Sequence, residues 1–358
     1  MGSKSGTRES GIELLRILAA MAVVLLHYND PMAFDAVAGG SPRQYILFLL
    51  ESMAICAVDL FIVISGFFLS GTQKRSFRKL FELIFQVIFY REVLYLLTCV
   101  LSHKEISLST MAGNMIPNNY FIILYGALYL ISPFINISLR KLDSRQWKIL
   151  MVVMVCVFSL WNIAVDLGEE ILGYEISGIS TFSQKGSIRG FNIMNFCLAY
   201  VIGAYLRYGA VPAWMEKKRN LGLAWLGTVL LIFLWSIGTE KLVRLELRSA
   251  WMYHNPLVLL SAALLFQFFR QIRFRNRTIN RMAGAAFSCF LVHGKVLEFL
   301  NIQKAVSGSI LLILGHIAFA LVTSYMIAWI AYECYSLVIV RLLNKLNLRV
   351  FKPWSIDI

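Results

Sequence analysis

The chain has 358 residues, 58% of them hydrophobic and only 15% charged, with a mean hydropathy of +0.68. Soluble domains run near half apolar and a quarter charged, so a soluble globular protein is excluded and a polytopic membrane protein is expected. A net charge of +14 would suggest nucleic acid in a soluble chain, but in a membrane protein basic residues sort to the cytoplasmic face, so no nucleic-acid partner is expected.

Apolar stretches of about 20 residues, each long enough to cross a bilayer as a helix, predict ten spans. In chain order they are 11–29, 45–71, 80–101, 120–139, 149–165, 191–206, 221–237, 256–269, 282–300 and 309–340. Lipid cannot satisfy an open backbone, so the expected fold is all-α, a polytopic membrane helical bundle of about ten transmembrane helices forming one domain over 1–358. With the N-terminus inside, the cytoplasmic segments hold 23 of the 34 basic residues and the outside segments eight, which places both termini in the cytoplasm. Lys4 and Arg8 could head a signal peptide cut near Ala36-Val37-Ala38, but Glu13 and Arg16 interrupt its core. All six cysteines fall within predicted spans without zinc or disulfide spacing, so they are small apolar residues and no metal is expected.

Ionisable groups inside a bilayer are costly and face a bundle interior or a water-filled cavity. Here they are numerous: Glu13, Arg16, His27, Glu51, Asp59, Glu82, Arg91, Glu92, His293, Lys295, Glu298, His316 and Glu333 lie in or beside spans. Arg78 with Glu82, and Lys295 with Glu298, have the spacing of helix-surface ion pairs and are assigned a structural role. The first span carries the sharpest pattern. Arg16 and His27 are eleven positions apart, which at about 100° per residue puts them within about 20° on one helix face and roughly 16 Å apart along it. Glu13 belongs to the same stripe.

These residues sit in a recognisable context. Gly11-Ile12-Glu13-Leu14-Leu15-Arg16, Ala19-Ala20 and then His27 resemble the opening of the acyltransferase-3 family of integral membrane acyltransferases, whose hallmark is an arginine, ten residues and a histidine in the first span. Val58-Asp59-Leu60-Phe61 through Ser65-Gly66-Phe67-Phe68 is similar to that family's second-span signature. Arg75-Ser76-Phe77-Arg78 resembles its Arg-x-x-Arg turn, Leu128-Tyr129-Leu130-Ile131-Ser132-Pro133-Phe134 its fourth span, and Phe290-Leu291-Val292-His293 its late aromatic-to-histidine segment. The likeness covers nearly the whole chain. Two features depart from the pattern: Gly294-Lys295 follows His293 where the family often has a polar residue, and Arg91-Glu92 matches no family motif.

The resemblance implies transfer of a short acyl group, acetyl before others, from cytoplasmic acyl-CoA as co-substrate to a hydroxyl of a saccharide. The acceptor would be a cell-surface or lipid-linked glycan, and the enzyme a multi-pass protein of the plasma membrane. No further catalytic domain is seen at either end, which points to the stand-alone branch acting on surface glycans. Attack of a hydroxyl on a thioester needs a base, and imidazole suits that role near neutral pH, so His27 is the candidate, as base or as acyl carrier. Arg75 and Arg78 are candidate clamps for the donor's phosphates, with Arg16 guiding the donor into the bundle; ordinary positive-inside decoration is the alternative for the turn. Asp59 is assigned to orienting His27 or holding the acceptor hydroxyl, or else to pairing with a buried base. Ser65 and Gly66 would open space for the donor arm or let helices approach closely. Glu13, His293 and Tyr129 are candidate acceptor or supporting residues, with His254 and Asn255 more loosely attached to the acceptor site. A through-bundle tunnel would then join the two sides. The rival classes are a transporter or flippase, which would also want intramembrane charge, and a membrane scaffold with structural ion pairs.

Overall fold

The computed structural model describes residues 9–116, 119–173, 188–241 and 248–340. Of the basic residues counted for orientation, Lys4, Arg8, Lys185, Arg244, Arg341, Lys345, Arg349 and Lys352 lie outside these. All regular structure among the described residues is helical: α1 (Ser10–Tyr28), α2 (Pro42–Ala54), α3 (Ala57–Leu69), α4 (Phe77–Leu101), α5 (Leu108–Asn114), α6 (Tyr120–Arg140), α7 (Ser144–Val155), α8 (Trp161–Leu172), α9 (Ile193–Tyr208), α10 (Lys218–Gly238), α11 (Pro256–Arg270), α12 (Arg277–Met282), α13 (Ala286–Glu298), α14 (Ile302–Val306) and α15 (Ile310–Tyr335). The starts are written locally. Ser41 and Asn255 accept hydrogen bonds from the first turns of α2 and α11, each with proline in that turn where no amide is needed, and Asp143 forms a capping box on α7.

Eight helical segments among the described residues are long and apolar enough to cross a membrane. They match eight of the ten predicted spans. The predicted spans 191–206 and 282–300 correspond to α9, of 16 residues, and to the continuous turns of α12 and α13, both short of that standard. Two other expectations need correcting. The predicted span 45–71 is broken at Ile55-Cys56 into α2 and α3, and the predicted span 149–165 runs on from α7 to α8 through a wider turn at Cys156–Leu160. The helical run that continues from α1 likewise leaves regular geometry at Asp30, just beyond His27.

The centre of the bundle is α1, packed against α3, α11, α13 and α15, while α3 lies closest to α9. That approach depends on glycine. A Cβ on Gly66 would collide with the Tyr200 carbonyl, and one on Gly203 with the Val63 carbonyl, so each helix meets the other backbone to backbone. Gly66→Ala is expected to lower stability by about 1–3 kcal/mol, the usual cost of overpacking. A thermal melt of the purified protein in detergent checks it, and an unchanged midpoint would contradict this contact.

Candidate active site

Arg16, Ala20, Val23 and His27 follow one another at steps of four, three and four, so they form a single stripe on α1. The stripe faces inward. At its lower end Arg16, Ala20 and Val23 line a cavity of about 270 Å³, closed by Phe61 and Ser65 of α3, Tyr125 of α6 and Phe287 and Phe290 of α13. Arg16 is the sole charged residue of that lining. Its Nη1 donates to Glu13 Oε1 at 3.0 Å, which holds the guanidinium while leaving its side chain 33% exposed. Ser65 donates to the Phe61 carbonyl one turn back at 2.9 Å.

At the upper end His27 opens onto a second cavity of about 130 Å³, shared with Asp30, Glu51, Arg189 and Arg248 and walled by aromatic rings including Trp251 and Tyr253. Glu51 is buried and accepts from Asn29 Nδ2 at 2.8 Å. Arg248 lies over the Phe48 ring at 4.5 Å and is tied to the carbonyls of Ser236 and Glu240. This cavity mixes both signs of charge with flat apolar faces, whereas the lower one is apolar apart from Arg16 and a few hydroxyls.

Between the two cavities lies a pair of imidazoles. The rings of His27 and His293 are 4.8 Å apart, tilted by 35°. Phe290, one turn before His293, lines the lower cavity and lies 6.1 Å from the His293 ring. His293 is buried, and its Nδ1 is 3.1 Å from the Cys289 carbonyl. A carbonyl can only accept, so Nδ1 carries the proton and a neutral His293 presents a lone pair at Nε2. His27 makes no hydrogen bond within the described residues, and its ring is exposed to the cavity. The pair can therefore take up and pass on a proton at the edge of the upper cavity.

The other predicted residues fall elsewhere. Arg75 is not a phosphate clamp: it is 1% exposed, and all three guanidinium nitrogens donate within the protein, to the carbonyls of Leu69, Thr72, Lys74 and Tyr129 and to Ser132 Oγ. The physical reason is the turn itself, whose carbonyls have no helix to satisfy them. Tyr129 is part of the same brace, with its ring 5.4 Å from the Arg75 guanidinium and its hydroxyl accepting from Ser76 N at 3.0 Å, so it is not at the acceptor cavity. Arg78 binds Glu82 at 2.7 Å and Lys295 binds Glu298 at 2.8 Å, as their spacing predicts. Asp59 does not bond to His27; it is buried, accepts from Asn195 Nδ2 at 3.0 Å, and leaves its second oxygen without a partner. His254 and Asn255 are also buried and structural: His254 Nε2 is 2.7 Å from Asp166, and Asn255 caps α11. His316, alone in the sequence, meets the Tyr28 hydroxyl at 2.8 Å. Glu51 stood in the sequence only as one of the intramembrane acids, and Arg189 and Arg248 were not singled out, because loop charges counted for orientation carry no mark of facing a cavity.

An apolar helical bundle that crosses the membrane many times and sets an exposed histidine against a buried one beside its cavities has the form of an intramembrane transfer enzyme. The family model described as "Acyltransferase domain" matches residues 9–333, and the chain belongs to this acyltransferase-3 family of membrane acyltransferases. No curated protein and no solved structure matches the chain.

Proposed function

We propose that the protein transfers a short acyl group, acetyl first among them, from acyl-CoA to a hydroxyl of a cell-surface or lipid-linked saccharide. In this reading the enzyme spans the plasma membrane with both termini in the cytoplasm, and the donor comes to the cavity at the Arg16 end. The acceptor enters the cavity shared by Glu51, Arg189 and Trp251, whose charged groups and flat rings suit a polyhydroxylated ring. The observation that supports it is the His27–His293 ring pair, with His27 lining the upper cavity and Phe290, beside His293, lining the lower one. As the acceptor oxygen attacks the thioester carbonyl, its proton passes to the imidazole. The carbon–sulfur bond then breaks, and the imidazolium returns the proton to the departing CoA thiolate.

With Arg75 enclosed by protein and Arg78 paired with Glu82, Arg16 is the cation that lines the cavity to meet the donor. A charge-assisted hydrogen bond contributes about 1.5–3 kcal/mol. Arg16→Gln is accordingly expected to raise KM for acetyl-CoA by roughly tenfold or more, with a smaller change in kcat. Steady-state kinetics of the purified variant check this, and an unchanged KM removes Arg16 from donor binding. The reading as a whole is tested by mass spectrometry of surface glycans from cells with and without the gene. A mass difference of one acyl group per sugar is expected; identical glycan spectra would overturn it.

A further inference from the structure

A concavity larger than either cavity of the candidate active site lies apart from both. It is a groove of about 790 Å³ on the outer side of α1, walled by α2, α3, α10 and α11, with almost no polar surface along its length. Leu18, Met53, Leu223 and Leu226 along it are exposed, so the groove opens sideways to the surroundings of the bundle. On α1 it runs from Leu15 to Leu25, a rise of about 15 Å. That is half of a hydrocarbon core of about 30 Å, the depth of one leaflet.

Its two ends differ. The far end, at Leu25 and Met53, is apolar, whereas the near end carries Lys218 and Arg219 at the start of α10. Both are exposed and pair with no carboxylate among the described residues. Lys217 precedes them, and Gln271 Nε2 donates to the Met215 carbonyl at 2.9 Å, which draws the Arg270 and Arg273 end of α11 toward the same edge. Glu216 is the one acid of this stretch. Further in, Trp225 lines the groove with its indole Nε1 buried and without a hydrogen-bond partner. It is seven residues along the helix from Lys218, about 10 Å deeper.

We propose that this groove seats one anionic phospholipid of the adjacent leaflet, its acyl chains along the apolar walls and its phosphate on Lys218 and Arg219. Charge complementarity selects the headgroup, and the groove's length selects a chain of one leaflet. Cations beside a membrane surface attract acidic lipids in this way. The inference rests on the membrane-spanning fold and does not depend on which acyl group or acceptor the active site takes.

The test uses the full chain, purified in mild detergent, stripped of lipid and titrated by native mass spectrometry with dioleoyl phosphatidylglycerol, dioleoyl phosphatidylcholine or glycerol phosphate. One phosphatidylglycerol per chain is expected, retained about tenfold more strongly than phosphatidylcholine, with glycerol phosphate not retained. Lys218→Gln with Arg219→Gln removes exposed charges only, and it should bring phosphatidylglycerol down to the phosphatidylcholine level without moving the melting temperature. Gly222→Phe, whose new ring would enter the groove beside Phe268, should weaken both lipids. Equal retention of the two lipids by the wild type, wild-type retention of phosphatidylglycerol by the double variant, or displacement by glycerol phosphate would each overturn the proposal.

Discussion

Replacing His27 with alanine is expected to cut acyl transfer by roughly 10²–10⁴-fold, the range that a positioned acid–base group contributes, and to leave the fold intact. Both halves of that expectation come from the same geometry. His27 is exposed to the cavity and makes no hydrogen bond within the described residues, so its removal strands no buried partner. A histidine kept for structure would behave in the opposite way. His316 offers the contrast, since its ring meets the Tyr28 hydroxyl at 2.8 Å. The measurement is transfer from radiolabelled acetyl-CoA by purified variant, alongside size-exclusion chromatography to show that it is folded. Activity within twofold of wild type would take the chemistry away from His27. The same label separates its two possible roles: without acceptor, an acyl carrier becomes labelled covalently, while a base does not.

His293 sharpens the design of that experiment. Its Nδ1–H is committed to the Cys289 carbonyl, so the lone pair available to a neighbour is at Nε2, with the His27 ring 4.8 Å away centroid to centroid. His293→Gln keeps a polar group but cannot cycle a proton. If the two rings work together, this variant loses kcat with little change in KM, and the His27→Ala, His293→Gln double variant is hardly worse than either alone, because groups acting as one unit are strongly non-additive.

How much of this was visible in sequence follows from the range of each interaction. Hydropathy marks a helix wherever about 20 residues are apolar, so eight crossing segments were found, though the ends at Ala36, Ser144, Leu172 and Ser249 lie beyond the predicted bounds. The break at Ile55-Cys56 was not, because neither proline nor glycine stands there and both sides remain apolar. On the site, Arg16 and His27 could be paired because they share one helix and its period alone puts them on one face. That His293 would meet His27 required packing of α13 on α1, which no local pattern encodes. Arg75 misled for the complementary reason. Its partners are mostly main-chain carbonyls, and every residue has one, so nothing in the sequence distinguishes an arginine that braces a turn from one that waits for phosphate.

The consequence can be measured. Arg75→Ala should destabilise the protein, and it should do so without any specific effect on the donor. The guanidinium satisfies four carbonyls and Ser132 Oγ at the junction of α3, α4 and α6, at distances from 2.7 to 3.2 Å. Each acceptor left dry costs about 1–3 kcal/mol, and water reaching part of the vacated space would recover only some of that. Asn136, which donates to the Leu69 and Thr72 carbonyls at 2.9 and 3.2 Å, would still hold the near side of the turn, so the damage should be severe but local in origin. Arg75→Lys keeps the charge but supplies a compact ammonium in place of a planar fork, and cannot span Ser132 and the turn together, so it should rescue stability only in part. The readouts are the melting temperature and yield of folded protein, together with KM for acetyl-CoA in whatever fraction remains folded. A folded Arg75→Ala protein with a wild-type melting point and a KM raised tenfold would reverse the assignment, because only a residue that touches the donor's phosphates changes donor affinity while leaving the turn secure.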